Sequence, residues 1–355
     1  MPKNFFSMTD QVLVCRACGL TKTQVLEVSE SLLESLNTTL VRIKSQYSAL
    51  EMFKLLCSQE NPFKLVQYFS TLGQGVDFLT SPEDPDPNPD ICLIERSSKS
   101  YSVYKGLNKQ FFYESQIHIS RWCAMTILPE SNLLLTGGKN DKDKGSNDTF
   151  FIINYLSLTC QSGSMLTSHS SHPAVLASNS LVYILGGKDA DNQTSNHCET
   201  LDPSTLQSTK ISPMHYGRTC AAGVHHNLSI FVFGGFANGF TNLIEKYSVN
   251  EDLWVVLNST LPVRLFQAGA VPVGNGSVLI FGGELSSDLK NFSSFVFDVK
   301  TEKFSLCRKM KVEDHYFGFW FHSVWTGEQV RSLRKGLLIT FDMESTVWRK
   351  NKIKG

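Results

Sequence analysis

An apolar run that ends in two glycines occurs four times in this chain and is the feature that most restricts its fold. The first glycines of the four pairs are residues 137, 186, 234 and 282, so neighbouring copies lie 48 or 49 residues apart. Spacing this even indicates a repeat architecture in which each copy is one structural unit. The glycine pairs, predicted to be structural, are Gly137 and Gly138, Gly186 and Gly187, Gly234 and Gly235, and Gly282 and Gly283.

A second landmark extends the number of repeats to six. A large residue is followed seven positions later by an aromatic residue at Tyr104 and Phe111, Tyr247 and Trp254, Phe297 and Phe304, and Phe341 and Trp348. Weaker copies stand at Ile153 and Cys160 and at Leu201 and Ser208. Short apolar runs separated by Gly, Asn, Asp and Ser surround these landmarks, which is the pattern of β-strands joined by turns.

This combination resembles the kelch repeat of β-propellers: an apolar strand, a glycine pair, a tyrosine near the end of the next strand and a tryptophan at the start of the last. The resemblance covers about residues 91 to 350, and the unit with Tyr247 and Trp254 matches it best. It implies four-stranded antiparallel blades around a central channel. The predicted fold is therefore mainly β, a six-bladed kelch-type propeller preceded by a short α-helical segment. Tyr247, Trp254 and Trp348 are expected to fill space between blades.

The first and last repeat units depart from this pattern. The first, from Ile91 to about Gln116, has room for only two or three strands and lacks a glycine pair. The last, from His315 to Lys350, also lacks the pair, although Thr326-Gly327 or Arg331-Ser332 stands near its position. We therefore expect the ring to close between these two units, with one terminus completing a blade begun at the other.

The chain ahead of the repeats reads as two further segments. Residues 1–80 are predicted to form a helical arm, because Thr23 to Cys57 contains no Gly or Pro and its apolar residues recur at steps of three and four. This stripe either forms a coiled coil that makes a homodimer or packs on a neighbouring helix or the propeller. Residues 81–90 hold four prolines and four acids and are predicted to be an extended linker. The propeller is expected to occupy residues 91–355.

Charge and cysteine usage favour a cytoplasmic protein without nucleic-acid or membrane partners. The chain has 33 basic and 33 acidic residues, so it carries no global field that attracts an anionic polymer or lipid. Its nine cysteines are odd in number and scattered, which points to a reducing compartment. We see neither a signal peptide nor an apolar stretch of about 18 residues. Cys15 and Cys18 have the spacing of half a zinc site, but no second Cys pair accompanies them, so two unpaired thiols are expected, with a zinc site as the alternative.

Motifs of catalysis are missing from the sequence, which predicts a protein that is not an enzyme and has no catalytic residues, metal or cofactor. We find no Walker-type phosphate loop, no GxSxG turn and no HExxH helix. Some kelch propellers are copper oxidases, but the histidines here stand in scattered contexts that match no such set. His225 and His226 fit a turn between two strands. Cys123 and Cys220, in matching places of their repeats, are expected to be packing residues, with a redox or metal role as the alternative.

Arginines just ahead of the first strand of several units are the recurring polar feature. Arg121 and Arg218 each lie 16 residues before their first glycine, and Arg264 occupies a similar place. In kelch propellers such residues stand where the blades converge on one mouth of the channel. By this resemblance, one binding face is predicted to comprise Arg121, Trp122, Ser170, Ser171, His215, Tyr216, Arg218, Arg264 and Tyr316.

A face of this kind suits an acidic peptide, because guanidinium groups bind carboxylates through paired hydrogen bonds. The alternative is that each arginine bonds to backbone carbonyls of an adjacent blade. The expected function is an intracellular adaptor or scaffold that holds a protein partner at the mouth. Two alternatives remain: a small-molecule enzyme of kelch type, such as a sugar epimerase or a specifier-like protein, and a substrate receptor of a ubiquitin ligase.

Overall fold

The structure is a computed structural model that describes residues 90–94, 100–105, 108–114, 119–139, 145–274, 276–287, 289–307, 323–334 and 337–352. The chain divides into two compact units, residues 1–81 and 82–355. Every described residue belongs to the second unit. The predicted helical arm, its coiled coil, Cys15 and Cys18 therefore lie outside the described residues, as does the predicted linker up to Asp90, which begins the first strand.

All regular elements of the described residues are β-strands, and most of them belong to five four-stranded antiparallel sheets, blades 1 to 5. Blade 1 contains β4 (Ala124–Leu128), β5 (Asn132–Thr136), β6 (Asn147–Asn154) and β7 (Thr159–His169). Blade 2 contains β8 (Ala174–Leu176), β9 (Val182–Lys188), β10 (Thr194–Asp202) and β11 (Gln207–Ile211). Blade 3 contains β12 (Ala222–His226), β13 (Ser229–Phe233), β16 (Ile244–Ser248) and β17 (Leu253–Val256).

The remaining strands complete the ring and add one small hairpin. Blade 4 contains β18 (Gly269–Pro272), β19 (Ser277–Phe281), β20 (Ser294–Asp298) and β21 (Lys303–Leu306). Blade 5 contains β22 (Ser323–Trp325), β23 (Gln329–Arg334), β24 (Leu337–Asp342) and β25 (Val347–Lys352). A three-stranded sheet is formed by β1 (Asp90–Ile94), β2 (Ser100–Lys105) and β3 (Asn108–Glu114). The small hairpin consists of β14 (Phe236–Ala237) and β15 (Gly239–Phe240).

These sheets form a β-propeller, as the sequence predicted, but with five complete blades rather than six. The first strands of successive blades contact one another in the order β4, β8, β12, β18 and β22. Strand β1 contacts both β22 and β4, so the three-stranded sheet stands between the last blade and the first. The short first unit thus supplies three strands, at the upper limit of what its length allowed.

The predicted exchange of a strand between the two imperfect units does not occur among the described residues. Blade 5 is built from residues 323–352 alone, and the three-stranded sheet from residues 90–114 alone. Blade 5 is complete because its four strands pair in sequence order, with Arg334 of β23 opposite Leu337 of β24. Thr326-Gly327 lies between β22 and β23, and Arg331-Ser332 lies within β23.

The core runs through the second strand of each of blades 1 to 4. Consecutive residues of these strands are buried, as in Val182–Leu185 and Ile230–Phe233. In blade 5 the consecutive buried residues, Leu338–Phe341, lie on the third strand instead. A strand with one face in water alternates buried and exposed residues, whereas a strand covered on both faces is apolar throughout. Because each blade packs between two neighbours, the unbroken apolar runs of the sequence are what this position requires.

The seven-residue spacing marks the hairpin between the third and fourth strands. Tyr247 lies opposite Trp254, with ring centroids 5.0 Å apart, and Phe341 lies opposite Trp348 at 4.8 Å. The indole of Trp254 also donates a hydrogen bond to the Ser212 carbonyl, 2.8 Å away, in the connection from the preceding blade. The aromatic residues therefore pack within a blade and also tie it to its neighbour.

Candidate functional site

Two sets of connections meet on one face of the propeller, which we call the mouth. One set follows the second strands, and the other leads into the first strands. In each of blades 1 to 4, a residue that leads into the first strand forms an isolated β-bridge with a residue that directly follows the glycine pair or its equivalent at the end of the second strand. The bridged pairs are Arg121 with Lys139, Ser170 with Lys188, Thr219 with Phe236, and Phe266 with Glu284.

The glycine pairs hold this face together by bringing neighbouring blades into contact. The second glycine of a pair donates its N–H to a carbonyl of the next connection, as Gly187 does to Arg218 at 2.9 Å. Gly187 has φ +88°, and a Cβ built on it would stand 2.5 Å from the Ser170 carbonyl oxygen. Only glycine fits a left-handed backbone with so close a neighbour. The pair is thus a packing device.

A chain of backbone hydrogen bonds links the connections from blade to blade. The Ser171 N–H donates to the Trp122 carbonyl at 2.9 Å, the Cys220 N–H to the Ser171 carbonyl at 2.7 Å, and the Gln267 N–H to the Cys220 carbonyl at 3.0 Å. All four residues have left-handed φ values, from 52° to 59°. They are therefore structurally equivalent and fix the mouth connections in one conformation.

This equivalence corrects the alignment of Arg121 with Arg218. Trp122 matches Cys220, so Arg121 matches Thr219, and the same shift separates Cys123 from Cys220. The cause is the hairpin between the first two strands, which has a three-residue loop in blade 1, between Leu128 and Asn132, and a two-residue loop in blade 3. Equal spacing to the glycine pair thus concealed a difference of one residue.

Arg218 is fully buried and binds structural partners. Its guanidinium donates to the carbonyls of Gly234 at 3.1 Å and Leu243 at 3.2 Å, and it forms an ion pair with Glu245 on β16, also fully buried. The second carboxylate oxygen of Glu245 accepts the His215 N–H at 2.7 Å. Arg218 therefore holds its connection onto blade 3 and is removed from the predicted binding face. Its carbonyl partners belong to its own blade, not to an adjacent blade as the alternative interpretation expected.

Blade 2 repeats this arrangement with a histidine in place of the arginine. His169 matches Arg218, since its carbonyl accepts the N–H of Gly138 at 2.7 Å. Its Nε2 lies 3.0 Å from Glu199 on β10, and its Nδ1 donates to the Gly186 carbonyl at 2.7 Å. Burial raises the pKa of the Glu199 carboxyl, but hydrogen bonds from His169, the Leu166 N–H and Thr167 outweigh burial and lower it.

Five of the nine predicted binding residues keep exposed side chains on the mouth. Trp122 and Tyr216 are each 48% exposed, and Arg121, His215 and Arg264 are exposed as well. Ser170 and Ser171 are buried, so the structure places them beneath the face rather than on it. Tyr316 lies outside the described residues.

Two lysines on the mouth were missed from the sequence. Lys139 lies over the ring of Trp122, with Nζ 5.4 Å from the ring centroid, and donates a hydrogen bond to the Asn192 side chain. Lys188 reaches the carbonyl of the same Asn192 at 3.3 Å. Partial burial and the charge of Lys188 lower the pKa of Lys139. Each lysine directly follows a glycine pair in the sequence, and this position could have indicated that it lies on the mouth.

A group of three phenylalanines on the mouth was missed as well. Phe236 and Phe240 on the small hairpin and Phe266 ahead of β18 have ring centroids 5.3 to 6.1 Å apart, all edge to face. Beside them is an open pocket of about 250 Å³, lined by Arg264 and residues 237–242, which include Phe240. Phe236 also follows a glycine pair, which is the signal that could have indicated it.

In the described part of the chain, no three His, Cys, Asp or Glu side chains stand close enough together to hold a metal ion. No helix in the same residues is long and apolar enough to cross a membrane.

Known proteins resemble this chain in sequence and in fold. A family model of the Kelch motif matches residues 169–215 and 217–260. Kelch-like protein 40 of Mus musculus is 28% identical over 190 residues, which is 47% of this chain and 31% of the relative. Kelch-like protein 41b of Danio rerio is 24% identical over 156 residues, 41% of this chain and 26% of the relative. The chain thus spans less than a third of the length of these two relatives.

A third relative and a solved structure extend the comparison. A RING finger domain and kelch repeat-containing protein of Dictyostelium discoideum is 27% identical over 146 residues, 39% of this chain and 14% of the relative. The solved structure of YjhT aligns with a TM-score of 0.61 at 12% identity and covers 77% of this chain and 99% of its own. At this identity the structural match shows the fold alone. The two matched motifs and the ring of antiparallel sheets together make this chain a kelch-repeat β-propeller.

Proposed function

We propose that this protein is a non-enzymatic interaction module that holds a segment of a partner protein at the mouth of its propeller, as an adaptor or scaffold does. The similarity to Kelch-like proteins supports a protein partner in general. We assign the partner to the mouth because its connections are fixed by the buried pairs and the backbone hydrogen bonds described above, and a fixed surface binds a partner at little conformational cost.

The observation that carries this proposal is the set of large exposed side chains on a rigid face. Trp122 and Tyr216 each leave 48% of their surface in solvent, although both stand on connections anchored to buried residues. Tryptophan, tyrosine and arginine dominate the binding energy of protein interfaces because they bury much area at little conformational cost. An exposed aromatic residue on a fixed backbone loses little entropy when a partner covers it.

The charges of the same face favour an acidic partner segment. Arg121, Lys139, Lys188 and Arg264 all stand on mouth connections. The buried carboxylates of Glu199 and Glu245 are already bound by His169 and Arg218. They therefore do not compete with the carboxylates of a partner for the cations of the mouth. Carboxylates of a partner would gain charge-assisted hydrogen bonds from the exposed Arg121 and Arg264, with the half-buried Lys139 and Lys188 beside them.

Site-specific photo-crosslinking in cells tests the proposal. A photoreactive phenylalanine replaces Tyr216 in the full chain, and a second protein carries it at Leu306, which is 68% exposed on the outer strand of blade 4. We expect a discrete protein adduct at position 216 and none of that mass at 306. Equal adducts at both positions, or none at 216, would contradict mouth binding.

Two further substitutions in the crosslinking protein identify the side chains involved. Trp122→Asn removes the exposed indole while keeping a residue that tolerates φ 59°, and Lys139→Glu reverses one charge. Each is expected to reduce the adduct at position 216 severalfold with an unchanged melting temperature. If both variants gave the adduct in undiminished yield, Trp122 and Lys139 would not belong to the binding face.

A further inference from the structure

The small hairpin of blade 3 is unlike the other described connections of the mouth. Strands β14 and β15 form the single two-stranded sheet among the described residues. Near its tip, a Cβ built on Gly239 would meet no atom within 4 Å. The hairpin therefore leaves open space beside Gly239 on the mouth.

The three phenylalanines on and beside this hairpin lie outside the hydrophobic core. The core cluster between blades 3 and 4 contains Phe231 and Phe233, whereas Phe236, Phe240 and Phe266 pack on one another above it. Phe236 is 38% exposed, and the other two are half-buried. Apolar surface that a monomer leaves in water at a concave site marks a place where a partner binds.

The pocket next to these rings carries one positive charge. Arg264 lines it and is exposed, and no ion pair or side-chain hydrogen bond engages its guanidinium among the described residues. Glu284, which forms a β-bridge with Phe266, is bound by Lys290 at 2.7 Å. Among the described residues, no carboxylate is therefore paired with the Arg264 charge that lines the pocket.

The size of the pocket restricts its occupant. At about 250 Å³ it is smaller than sites for cofactors or drug-sized molecules, which measure roughly 300 to 1,000 Å³. It therefore suits one or two side chains of a longer ligand.

We propose that this pocket binds an extended segment of a partner protein, in which a large apolar side chain packs on Phe236, Phe240 and Phe266 and an adjacent carboxylate pairs with Arg264. This inference rests on the proposed function and specifies its partner chemistry. The apolar contact supplies desolvated area, and the guanidinium fixes the direction of the segment.

The test uses the full-length chain and a phage library of random linear peptides. Selected peptides are synthesised, and their affinities are measured by fluorescence polarisation. The test variants are Phe240→Ala and Arg264→Gln, and the matched controls are Leu306→Ala and Arg349→Gln, which change an exposed apolar and an exposed cationic residue on outer strands. Melting temperatures confirm that all four variants fold.

The inference expects peptides that carry a large apolar residue next to Asp or Glu. Each test variant should weaken binding about tenfold or more, and each control less than about twofold. Replacing the peptide's acid by its amide should weaken binding to the wild type, and should have little further effect on the Arg264→Gln protein. A smaller effect of the amide on the Arg264→Gln protein than on the wild type would show that the acid of the peptide contacts Arg264.

Other results overturn the inference in distinguishable ways. Peptides that lose affinity with Trp122→Asn or Lys139→Glu, but not with Phe240→Ala or Arg264→Gln, place the partner elsewhere on the mouth and leave the proposed function standing. No selected peptide, together with no adduct at Tyr216, removes both proposals. A single-stranded oligonucleotide that displaces the peptides would show that the occupant is a nucleic acid.

Discussion

Arg218 and Arg264 stand in similar places in the sequence, each just ahead of the first strand of its blade, and have opposite roles in the structure. Arg218 has no exposed surface and binds Glu245 and two carbonyls. Arg264 is exposed and lines the pocket of the mouth. One arginine stabilises the scaffold, and the other is available to a ligand.

The third strand of each blade explains the difference. Blade 3 has Glu245 two residues before Tyr247, and blade 4 has Phe295 at the matching place, two residues before Phe297. The residue of blade 4 equivalent to Arg218 is Leu265, whose carbonyl accepts the N–H of Gly235. Leu265 and Phe295 are both buried in one apolar cluster. Blade 4 thus uses an apolar pair where blade 3 uses an ion pair, and Arg264 is left outside.

The largest expected effect comes from breaking the ion pair. Arg218→Met leaves the carboxylate of Glu245 buried without its cation, and removal of one partner of a buried pair costs about 3–5 kcal/mol. Urea unfolding of the full chain measures the loss. The double substitution Arg218→Leu with Glu245→Phe copies blade 4 and should recover much of the stability. A single variant within about 1 kcal/mol of the wild type would show that the pair does not hold the connection.

The next largest effect on stability is expected from replacing a glycine that lies between two blades, in comparison with a glycine on the small hairpin. Gly187→Ala puts a Cβ 2.5 Å from the Ser170 carbonyl at φ +88°, so we expect a loss of about 3 kcal/mol from strain and displacement. Gly239→Ala, also at positive φ but in open space near the hairpin tip, should cost about 1 kcal/mol. Thermal and urea unfolding compare the two. Equal losses would mean that backbone conformation alone, and not contact between blades, sets the cost.

The buried Glu199 carboxylate should make a contribution to stability that depends on pH. Glu199→Gln is expected to cost about 2 kcal/mol at pH 7, since hydrogen bonds to a charged group are lost. The folded-state pKa of Glu199 lies below its ordinary value, so its contribution is present above the unfolded-state pKa and disappears as pH falls through the folded-state pKa.

Urea midpoints of the wild type and of Glu199→Gln across the acid range check this sign. The two curves should lie apart at neutral pH and converge as the pH falls. A difference between the two urea midpoints that grows as the pH falls would contradict a folded-state pKa of Glu199 below its ordinary value.

The smallest stability effect is expected at Arg264. Its side chain is exposed and engages no described acid, so Arg264→Gln should change the free energy of unfolding by less than about 0.5 kcal/mol. Urea unfolding beside Arg218→Met makes the contrast direct. A loss at Arg264 comparable to that at Arg218 would erase the distinction between scaffold and ligand residues.

The repeat architecture was predictable because its signals are local. An apolar run with a glycine pair reports a buried second strand, and Tyr247 with Trp254 reports a hairpin, each within a few residues of the feature it describes. The number of complete blades was less predictable, because the first unit carries the seven-residue landmark of Tyr104 and Phe111 but supplies only the three strands β1, β2 and β3.

The site was harder to predict because it depends on contacts between distant segments. The burial of Arg218 requires Glu245, 27 residues later, and the aromatic group unites Phe236 and Phe240 with Phe266 from the next blade. A one-residue difference in a hairpin loop was enough to misalign Arg121. The residue that follows each glycine pair would have been a better guide to the mouth, as Lys139, Lys188 and Phe236 show.

The most direct test of the division between Arg218 and Arg264 is the affinity of the Arg264→Gln protein for a library-selected peptide, measured beside its melting temperature. The account predicts an affinity about tenfold or more below that of the wild type and an unchanged melting temperature. An affinity equal to that of the wild type, or a fall in melting temperature that accounts for the lost binding, would contradict it.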